Sequence, residues 1–216
     1  MEWVEKIDNE RCLFKGRTYL IIKRILDLSL VILSLPISIP LLGLCALVVK
    51  IDSPDGPIVF NQPRTGKGGK RFTIYKFRTM VPNAEELKKD LAHLNILKWP
   101  LFKMTNDPRI TRVGKFLRRT SLDELPQIYN VLKGEMSLVG PRPTTFSPEI
   151  YQLWHTERLS VIPGITGLWQ ITKRGTSDFD EWLRLDIMYI EHRCLWLDIQ
   201  ILARTLFAVL RRRGAF

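Results

Sequence analysis

Apolar residues fill the chain from Leu28 to Val49, a run of 22 residues that contains no charge. As a helix this run would be about 33 Å long, which is enough to cross a bilayer. Pro36 and Pro40 flank its midpoint, and each removes a backbone donor and clashes with the preceding turn. Two interpretations stay open: a kinked helix that spans the membrane, or a helix–break–helix that enters one leaflet and returns.

Basic residues lie at both ends of the apolar run. Lys23 and Arg24 precede it and Lys50 follows it. Because cytoplasmic flanks of membrane segments are the positively charged ones, this symmetry favours the re-entrant interpretation. Asp27, at the edge of the run, is expected to pair with Lys23 or Arg24, one turn back on the same helix face.

Alternating apolar and polar positions predict two strands after this run. They are "IVFNQPR" (58–64) and "RFTIYKFRTM" (71–80), and the intervening "TGKGGK" (65–70) predicts the tight turn of a β-hairpin. The glycines also suggest a phosphate-binding loop, but the Walker pattern is absent, so the turn is favoured. Alternation places Lys76 and Arg78 on one face of the second strand.

Helical spacing predicts two helices in the middle of the chain. Residues 82–97 are typical of a surface helix capped by Asn83. A second helix ends at Lys133–Gly134, where lysine and glycine form a natural stop. Proline is tolerated in the first turn of a helix, so Pro126 puts the start of this second helix at about Ser121–Asp123.

Two further helices are predicted near the C-terminus. They are "DFDEWLRLDIMYIEHR" (178–193) and "LWLDIQILARTLFAVLRRR" (195–213). The second is amphipathic and ends in Arg211–Arg213, which suits a helix in the membrane interface. Packing against the rest of the domain explains the same pattern, so both interpretations stay open.

The charge balance adds a ligand class to this picture. The chain has 33 Lys and Arg against 22 Asp and Glu, a formal net charge of +11. Such an excess indicates a polyanionic partner: nucleic acid, an anionic membrane face or phosphorylated small molecules. No helix-turn-helix or RNA-binding signature is present. The three cysteines show no CxxC spacing, which favours a reducing compartment over a zinc site or a disulfide framework.

Adjacent acids follow a run of positive charge in "RRTSLDE" (118–124). Asp123 and Glu124 fall in the opening turn of the predicted helix, where free N–H groups and the helix dipole favour negative charge. "S-x-x-E" is also a capping box, so a purely structural role is an alternative. The approach to the acids is unusually cationic, with Arg109, Arg112, Lys115, Arg118 and Arg119. Such a cluster can bind diphosphate, while adjacent acids can hold Mg²⁺ and offer an oxygen nucleophile.

The segment "GPRP" (140–143) places Arg142 between two prolines. Each proline fixes φ, so the segment can present one guanidinium rigidly to a phosphate or a planar base. The same sequence also forms ordinary turns.

Four segments, in this order and spacing, resemble one family. They are "KRILD" (23–27), "FNQPRTGKGGKRFTIYKFRTM" (60–80), "DPRITRVGKFLRRTSLDELPQIYNVLKGEMSLVGPRP" (107–143) and "PGITGLWQI…LDIMYI" (163–190). From about Lys23 onward the chain resembles the bacterial sugar transferases, the monotopic phosphoglycosyl transferases that act on polyprenyl phosphate. The multi-span N-terminal region of the large members does not precede the motifs, so we expect a minimal catalytic unit.

The resemblance implies a reaction and roles for four residues. The reaction is transfer of a sugar 1-phosphate from a UDP-sugar to undecaprenyl (or similar) phosphate, with release of UMP, as the initiating step of surface glycan or exopolysaccharide synthesis. Asp123 matches the nucleophile, which is expected to form a covalent aspartyl phosphosugar, and Glu124 matches its partner, acting through Mg²⁺ or proton transfer. Arg118 and Arg142 match positions associated with phosphate and uridine diphosphate recognition.

Pro40 matches the family's membrane-helix break, which strengthens the re-entrant interpretation. The family usually has serine directly before this proline. Here Ile39 takes that place and Ser38 lies one residue earlier, so the break lacks the adjacent hydroxyl.

We therefore expect an α+β fold: a helical, membrane-associated catalytic domain with a β-hairpin and an N-terminal re-entrant membrane segment. The expected divisions are an N-terminal extension (1–22), the re-entrant helix (23–50) and a catalytic domain (51–216) on the cytoplasmic face of the bacterial inner membrane. The expected ligands are a UDP-sugar, undecaprenyl phosphate, membrane lipids and Mg²⁺, without nucleic acid. Further candidates for substrate binding are Lys76, Arg78 and Arg109. The alternative is a non-catalytic, membrane-anchored basic domain that binds nucleic acid or anionic lipid.

Overall fold

The structure is a computed structural model that describes residues 16–91, 106–146, 153–172 and 179–210, together with the single positions 4, 14, 93, 95 and 104. Its first element is helix α1, Gly16–Asp52, which is longer at both ends than the predicted 23–50. By length and composition α1 could cross a membrane, with a mean hydropathy of 2.4 in its most apolar window. Side chains in its middle are strongly exposed, including Leu33 (75%) and Ile37 (76%).

The predicted helix–break–helix is not seen in α1. Pro36 and Pro40 both lie inside one helical segment. Each proline removes one N–H from the helix ladder, and long apolar helices tolerate that loss because the flanking hydrogen bonds persist. The prolines therefore do not interrupt the helix.

Both halves of α1 pack against the same domain. In the N-terminal half, Val31 belongs to an apolar cluster with Ile74 and Met136. In the C-terminal half, Cys45 belongs to a second cluster with Leu117. Both halves of α1 thus pack against the folded domain, and the exposed side chains lie between the two contact regions.

The predicted ion pair of Asp27 with Lys23 or Arg24 is not formed among the described residues; burial raises the pKa of Asp27, and the charge of Lys23 opposes this effect. Asp27 Oδ1 accepts the backbone N–H of Leu138 at 3.2 Å. Lys23 instead pairs with Asp198 at 2.9 Å, and Arg24 donates to two backbone carbonyls of the domain. Tertiary partners replaced the local one because this part of α1 is buried against the domain.

The β-hairpin is confirmed. Strands β1 (Val59–Thr65) and β2 (Arg71–Phe77) pair antiparallel, and a short 3₁₀ turn (Lys67–Gly69) connects them. Gly68 adopts φ +65° there, a left-handed conformation that favours glycine. Because β2 ends at Phe77, Arg78 lies beyond the strand and does not continue the face that Lys76 occupies.

Four helical segments follow the hairpin. Helix α2 (Ala84–Asp90) covers part of the predicted 82–97, of which residues 92, 94, 96 and 97 lie outside the described residues; Asn83 makes no side-chain cap. Helix α3 (Arg112–Thr120) ends at Ser121. The predicted helix at the acidic pair divides into a 3₁₀ helix (Leu122–Gln127) and α4 (Ile128–Lys133).

The C-terminal part surrounds a short parallel pair of strands, β3 (Ser137–Val139) and β4 (Gly164–Thr166). The remaining bounds are a 3₁₀ helix Leu153–Ser160, α5 Leu168–Thr172, α6 Phe179–His192 and α7 Leu195–Leu210. Helix α7 buries Leu197 and Ile201 in the domain core and leaves Phe207 exposed. Packing against the domain is therefore observed for α7, and Arg211–Arg213 lie outside the described residues.

Candidate active site

Asp123 and Glu124 lie in the first turn of the 3₁₀ helix, directly after a sharp change of direction. Ser121 produces this change with φ 59°, and it makes no side-chain cap. The Glu124 N–H donates to the Ser121 carbonyl at 3.2 Å. The predicted start of the helix is confirmed, and Pro126 is accommodated within the 3₁₀ segment.

The Glu124 side chain is engaged by two cations rather than by the helix end. Lys76 Nζ donates to its Oε1 at 2.9 Å. Arg142 forms a two-pronged contact, with Nη1 to Oε2 at 3.1 Å and Nη2 to Oε1. Such forked guanidinium–carboxylate pairs are among the strongest hydrogen-bonded contacts in proteins. The capping-box interpretation therefore does not describe this glutamate.

The hairpin delivers Lys76 to the site, and Asn130 fixes the hairpin there. The Asn130 side chain donates to the Thr73 carbonyl at 2.7 Å and accepts the Tyr75 N–H at 3.3 Å. Asn130 is fully buried in α4. One amide thus fixes β2 against α4, which directly follows the 3₁₀ helix that carries the acidic pair.

Arg142 reaches the site from the segment after β3. Gly140 N–H donates to the Thr166 carbonyl, and Gly164 N–H donates to the Pro141 carbonyl, both at 2.9 Å. A Cβ on Gly164 would lie 2.1 Å from the Gly140 nitrogen, so this close approach requires glycine. The segment is therefore fixed just before Arg142.

Arg118 approaches Asp123 from the last turn of α3. Its Nε donates to Thr79 Oγ1 at 2.8 Å, and burial lowers the pKa of its guanidinium. Among the residues that the structure describes, its two Nη atoms have no hydrogen-bond acceptor. Thr79 was not predicted as a site residue, because it lies 39 positions from Arg118 and nothing local links the two.

The two carboxyls differ sharply in their electrostatics. Burial, followed by the charge of Glu124, raises the pKa of Asp123 to about 6, against the opposing effect of Lys76, Arg118 and Arg142. Burial also acts to raise the pKa of Glu124, but Arg142 and Lys76 hold it well below its ordinary value. Both groups are ionised at neutral pH. In the described part of the chain, Asp123 accepts no hydrogen bond, so its carboxylate is available to a ligand.

The structure does not bring Arg78 or Arg109 to the acidic pair. Arg78 donates to the Ser53 carbonyl at the exit of α1. Arg109 pairs with Asp107 through two contacts of 2.9 and 2.7 Å, and both side chains are buried. These contacts hold loops of the fold together.

Mg²⁺ has a restricted set of protein ligands at this site. Within the described ranges, no group of three or more His, Cys, Asp or Glu residues could hold a metal ion. Both Glu124 oxygens are occupied by cations, which leaves the Asp123 carboxylate. Mg²⁺ is commonly held by one or two carboxylates together with substrate phosphates, so the site fits this ion when a diphosphate supplies the other ligands.

Among the described residues, the Asp123 carboxylate accepts no hydrogen bond, and the charges of Lys76, Arg118 and Arg142 act on it. Such a cluster of cations suits an anionic, phosphorylated ligand, and it lies next to a helix that is long and apolar enough to cross a membrane. Comparison with protein families shows that residues 18–212 match the family of bacterial sugar transferases. The chain belongs to this family.

Curated relatives cover nearly the whole chain. It is 49% identical over 206 residues to galactosyl transferase CpsE from Streptococcus agalactiae serotype III, covering 94% of this chain and 45% of that protein. It is 44% identical over 201 residues to the undecaprenyl-phosphate galactose phosphotransferase of Salmonella typhimurium, covering 90% and 42%. It is 36% identical over 199 residues to the exopolysaccharide production protein ExoY of Rhizobium meliloti, covering 90% and 88%. The chain thus spans less than half the length of the first two.

Proposed function

We propose that this protein transfers a sugar 1-phosphate from a UDP-sugar to undecaprenyl phosphate (or a similar polyprenyl phosphate), releasing UMP. The observation that carries the proposal is the carboxylate of Asp123, which accepts no hydrogen bond from the described residues and lies among the charges of Lys76, Arg118 and Arg142. Relatives named for undecaprenyl-phosphate galactose phosphotransfer and exopolysaccharide production support it. The biological role that follows is initiation of surface glycan synthesis.

The proposed chemistry has two displacements at one phosphorus. First, an Asp123 carboxylate oxygen attacks the β-phosphorus of the UDP-sugar. The bond from that phosphorus to the bridging oxygen breaks, and UMP leaves with the electron pair. Second, a phosphate oxygen of the lipid attacks the aspartyl phosphosugar and releases the carboxylate. Neither displacement needs a net proton transfer, so the protein contributes position and charge.

The cations stabilise the charge that moves between the oxygens. The Arg118 Nη donors, which have no acceptor among the described residues, can bind a phosphate, while Lys76 and Arg142 are oriented by Glu124. In this proposal Glu124 holds the cations in place and keeps the two positive side chains from collapsing onto Asp123. Because these cations are already in place, no free energy is spent on moving them during the reaction.

Asp123, together with the substrate diphosphate, would hold Mg²⁺. The ion would neutralise phosphate charge when bound. Loss of UMP release in EDTA, with recovery on addition of MgCl₂, is the expected result. Full activity in EDTA would show that the reaction does not need Mg²⁺.

We further propose that α1 bends at Pro36 and Pro40 while staying helical, re-enters the cytoplasmic leaflet and has both of its ends facing the cytoplasm. Clusters at Val31 and at Cys45 pack against the same domain. In a straight spanning helix these two positions would lie about 21 Å apart in depth within the hydrocarbon, where a domain on one face of the membrane could not contact both. Basic Lys23 and Lys50 at the two ends agree with a cytoplasmic position. The apolar, exposed middle of the helix would lie among the lipid tails.

Single cysteines before and after α1 test this topology. Phe14 precedes the helix and Lys67 lies in the exposed hairpin turn. In a background without the native cysteines, Phe14→Cys and Lys67→Cys should both react with an impermeant maleimide after permeabilisation and not in intact cells. A spanning helix predicts labelling of one of the two from outside.

The reaction is tested by screening UDP-sugars for UMP release with undecaprenyl phosphate in detergent. Asp123→Asn should abolish release, while Asp90→Asn, which changes an exposed carboxylate on α2, should leave the rate unchanged. With donor alone, mass spectrometry should find a sugar phosphate on the peptide that contains Asp123. Turnover by the Asp123→Asn protein would refute the mechanism. Absence of UMP release from every donor would leave the non-catalytic alternative.

A further inference from the structure

Four successive carbonyls hold the segment that carries Arg142. The Pro141 carbonyl accepts from the Gly164 N–H at 2.9 Å, and the Thr144 carbonyl accepts from the Thr65 N–H at 3.0 Å. The Pro143 carbonyl accepts from an arginine of the hairpin at 3.2 Å. Because prolines have no N–H, a Pro-Arg-Pro segment is fixed largely through its carbonyls.

The fourth carbonyl, that of Arg142 itself, is held by a side chain. Arg158 Nη2 donates to it at 2.5 Å and also to Asp186 Oδ2 at 2.7 Å. The Arg158 and Asp186 side chains are 5% and 2% exposed. Burying such a pair carries a large desolvation cost, and a well-packed apolar pair is often at least as stable. Stability alone therefore does not account for the pair.

Helix α6 supplies the acid of this pair from the segment "LDIMYI" (185–190), to which the sequence assigned no separate role. One turn after Asp186, the hydroxyl of Tyr189 lies 3.4 Å from the Val139 carbonyl, and it donates its proton to Asp198 Oδ1 at 2.7 Å. Helix α6 thus contacts both ends of the segment 139–142. Tyr189 contacts Val139 directly, and Asp186 holds Arg158, which donates to the Arg142 carbonyl. Neither contact touches Asp123 or Glu124.

We propose that Arg158, held by Asp186, is a positioning residue that fixes the backbone of Arg142 and so sets the reach of its guanidinium toward Glu124 and the substrate diphosphate. This inference rests on the proposed function of Arg142. Displacement of a catalytic group by about 1 Å can lower a rate about a hundredfold. Because the neighbouring carbonyls remain held, we expect Arg158→Lys to lower UMP release by about tenfold to a hundredfold.

A double-mutant cycle separates positioning from a general loss of stability. If Arg158 acts through Arg142, the protein with both Arg142→Lys and Arg158→Lys should be no more than about twofold slower than Arg142→Lys alone, since coupled residues are not additive. Independent effects that multiply would overturn the proposal, as would an unchanged rate in Arg158→Lys. If Arg158→Lys fails to fold, Asp186→Asn, which keeps the side-chain shape, replaces it in the cycle with the same expected outcome.

Arg109→Lys is the matched control. Arg109 also forms a buried ion pair with an aspartate, Asp107, at 2.7 Å, in the loop before α3 and outside the segment 139–142. Its effect on the rate should multiply with that of Arg142→Lys, as expected for independent sites. Coupling of equal size in this control would overturn the assignment to Arg158.

Amide hydrogen exchange tests the inference without turnover. Peptides covering residues 137–146 should exchange faster in Arg158→Lys than in the wild type and in Arg109→Lys, while peptides from α7 keep their rates. Unchanged exchange in 137–146 would overturn the positioning role. If the wild type releases no UMP from any UDP-sugar, the proposed function fails, and the exchange result still decides whether Arg158 fixes this segment.

Discussion

Removing a negative neighbour of Asp123 and removing a positive one should move the acid limb of the pH–rate profile in opposite directions. Glu124→Gln removes the negative neighbour, whose charge raises the pKa of Asp123. Lys76→Met keeps the length of the side chain but removes a positive neighbour, whose charge lowers that pKa. Asp123 must be ionised to attack phosphorus, so activity is lost as the pH falls through its pKa.

The size of the shifts follows from the burial of the pair. The Lys76 and Glu124 side chains are 16% and 18% exposed, and 2.9 Å separates Nζ from Oε1, so solvent screens these charges weakly. The charges of Glu124 and Lys76 both act on Asp123, and a weakly screened neighbouring charge commonly shifts a carboxyl pKa by about 1–3 units. From a limb near the Asp123 pKa of about 6, we expect a limb at about 5 or below for Glu124→Gln and at about 7 or above for Lys76→Met. Both variants should also be slower at their optimum, since each loses part of the charge arrangement.

The assay is kcat/KM for UMP release between about pH 4.5 and 9 at constant ionic strength, since this quantity reports ionisations of the free enzyme. Thermal unfolding in the same buffers checks that the fold persists at each pH. Lys67→Met, an exposed change in the hairpin turn, should leave the limb in place. Limbs that move in the same direction in both variants, or that stay unmoved, would refute the electrostatic assignment of Asp123.

Two further predictions concern the supports of the site. A Cβ on Gly114 would lie 2.1 Å from the Thr79 carbonyl, so Gly114→Ala should push α3 away, destabilise the protein by about 1–3 kcal/mol in denaturant titrations and weaken the Arg118–Thr79 contact. Gly43→Ala, where nothing lies within 4 Å of the new Cβ, is its control, and equal loss in both would contradict the argument. Asp198 is buried and accepts hydrogen bonds from Tyr19, Lys23 and Tyr189. Asp198→Asn should therefore lower the free energy of unfolding by about 3 kcal/mol, because buried cationic and hydroxyl donors lose a charged acceptor. If Asp198→Asn unfolds at the same denaturant midpoint as the wild type, these hydrogen bonds do not hold α1 against the domain.

Local patterns predicted the elements of this protein. The charge-free run predicted α1, alternation around "TGKGGK" predicted the hairpin, and Pro126 limited where the helix at Asp123 could begin. These features depend on backbone geometry and residue periodicity within a few turns of chain. Family resemblance then singled out Asp123, Glu124, Arg118 and Arg142, and the structure brings all four together.

Tertiary structure alone decided which charges meet. Lys76 joins Glu124 from 48 residues away and Arg142 joins it from 18 residues away, whereas Arg78 and Arg109, equally basic in the sequence, turn to other partners. The capping-box pattern also failed at Glu124, because two buried cations bind a carboxylate more strongly than a helix end does. An ion pair depends on distance and burial, and neither quantity is encoded in the local sequence.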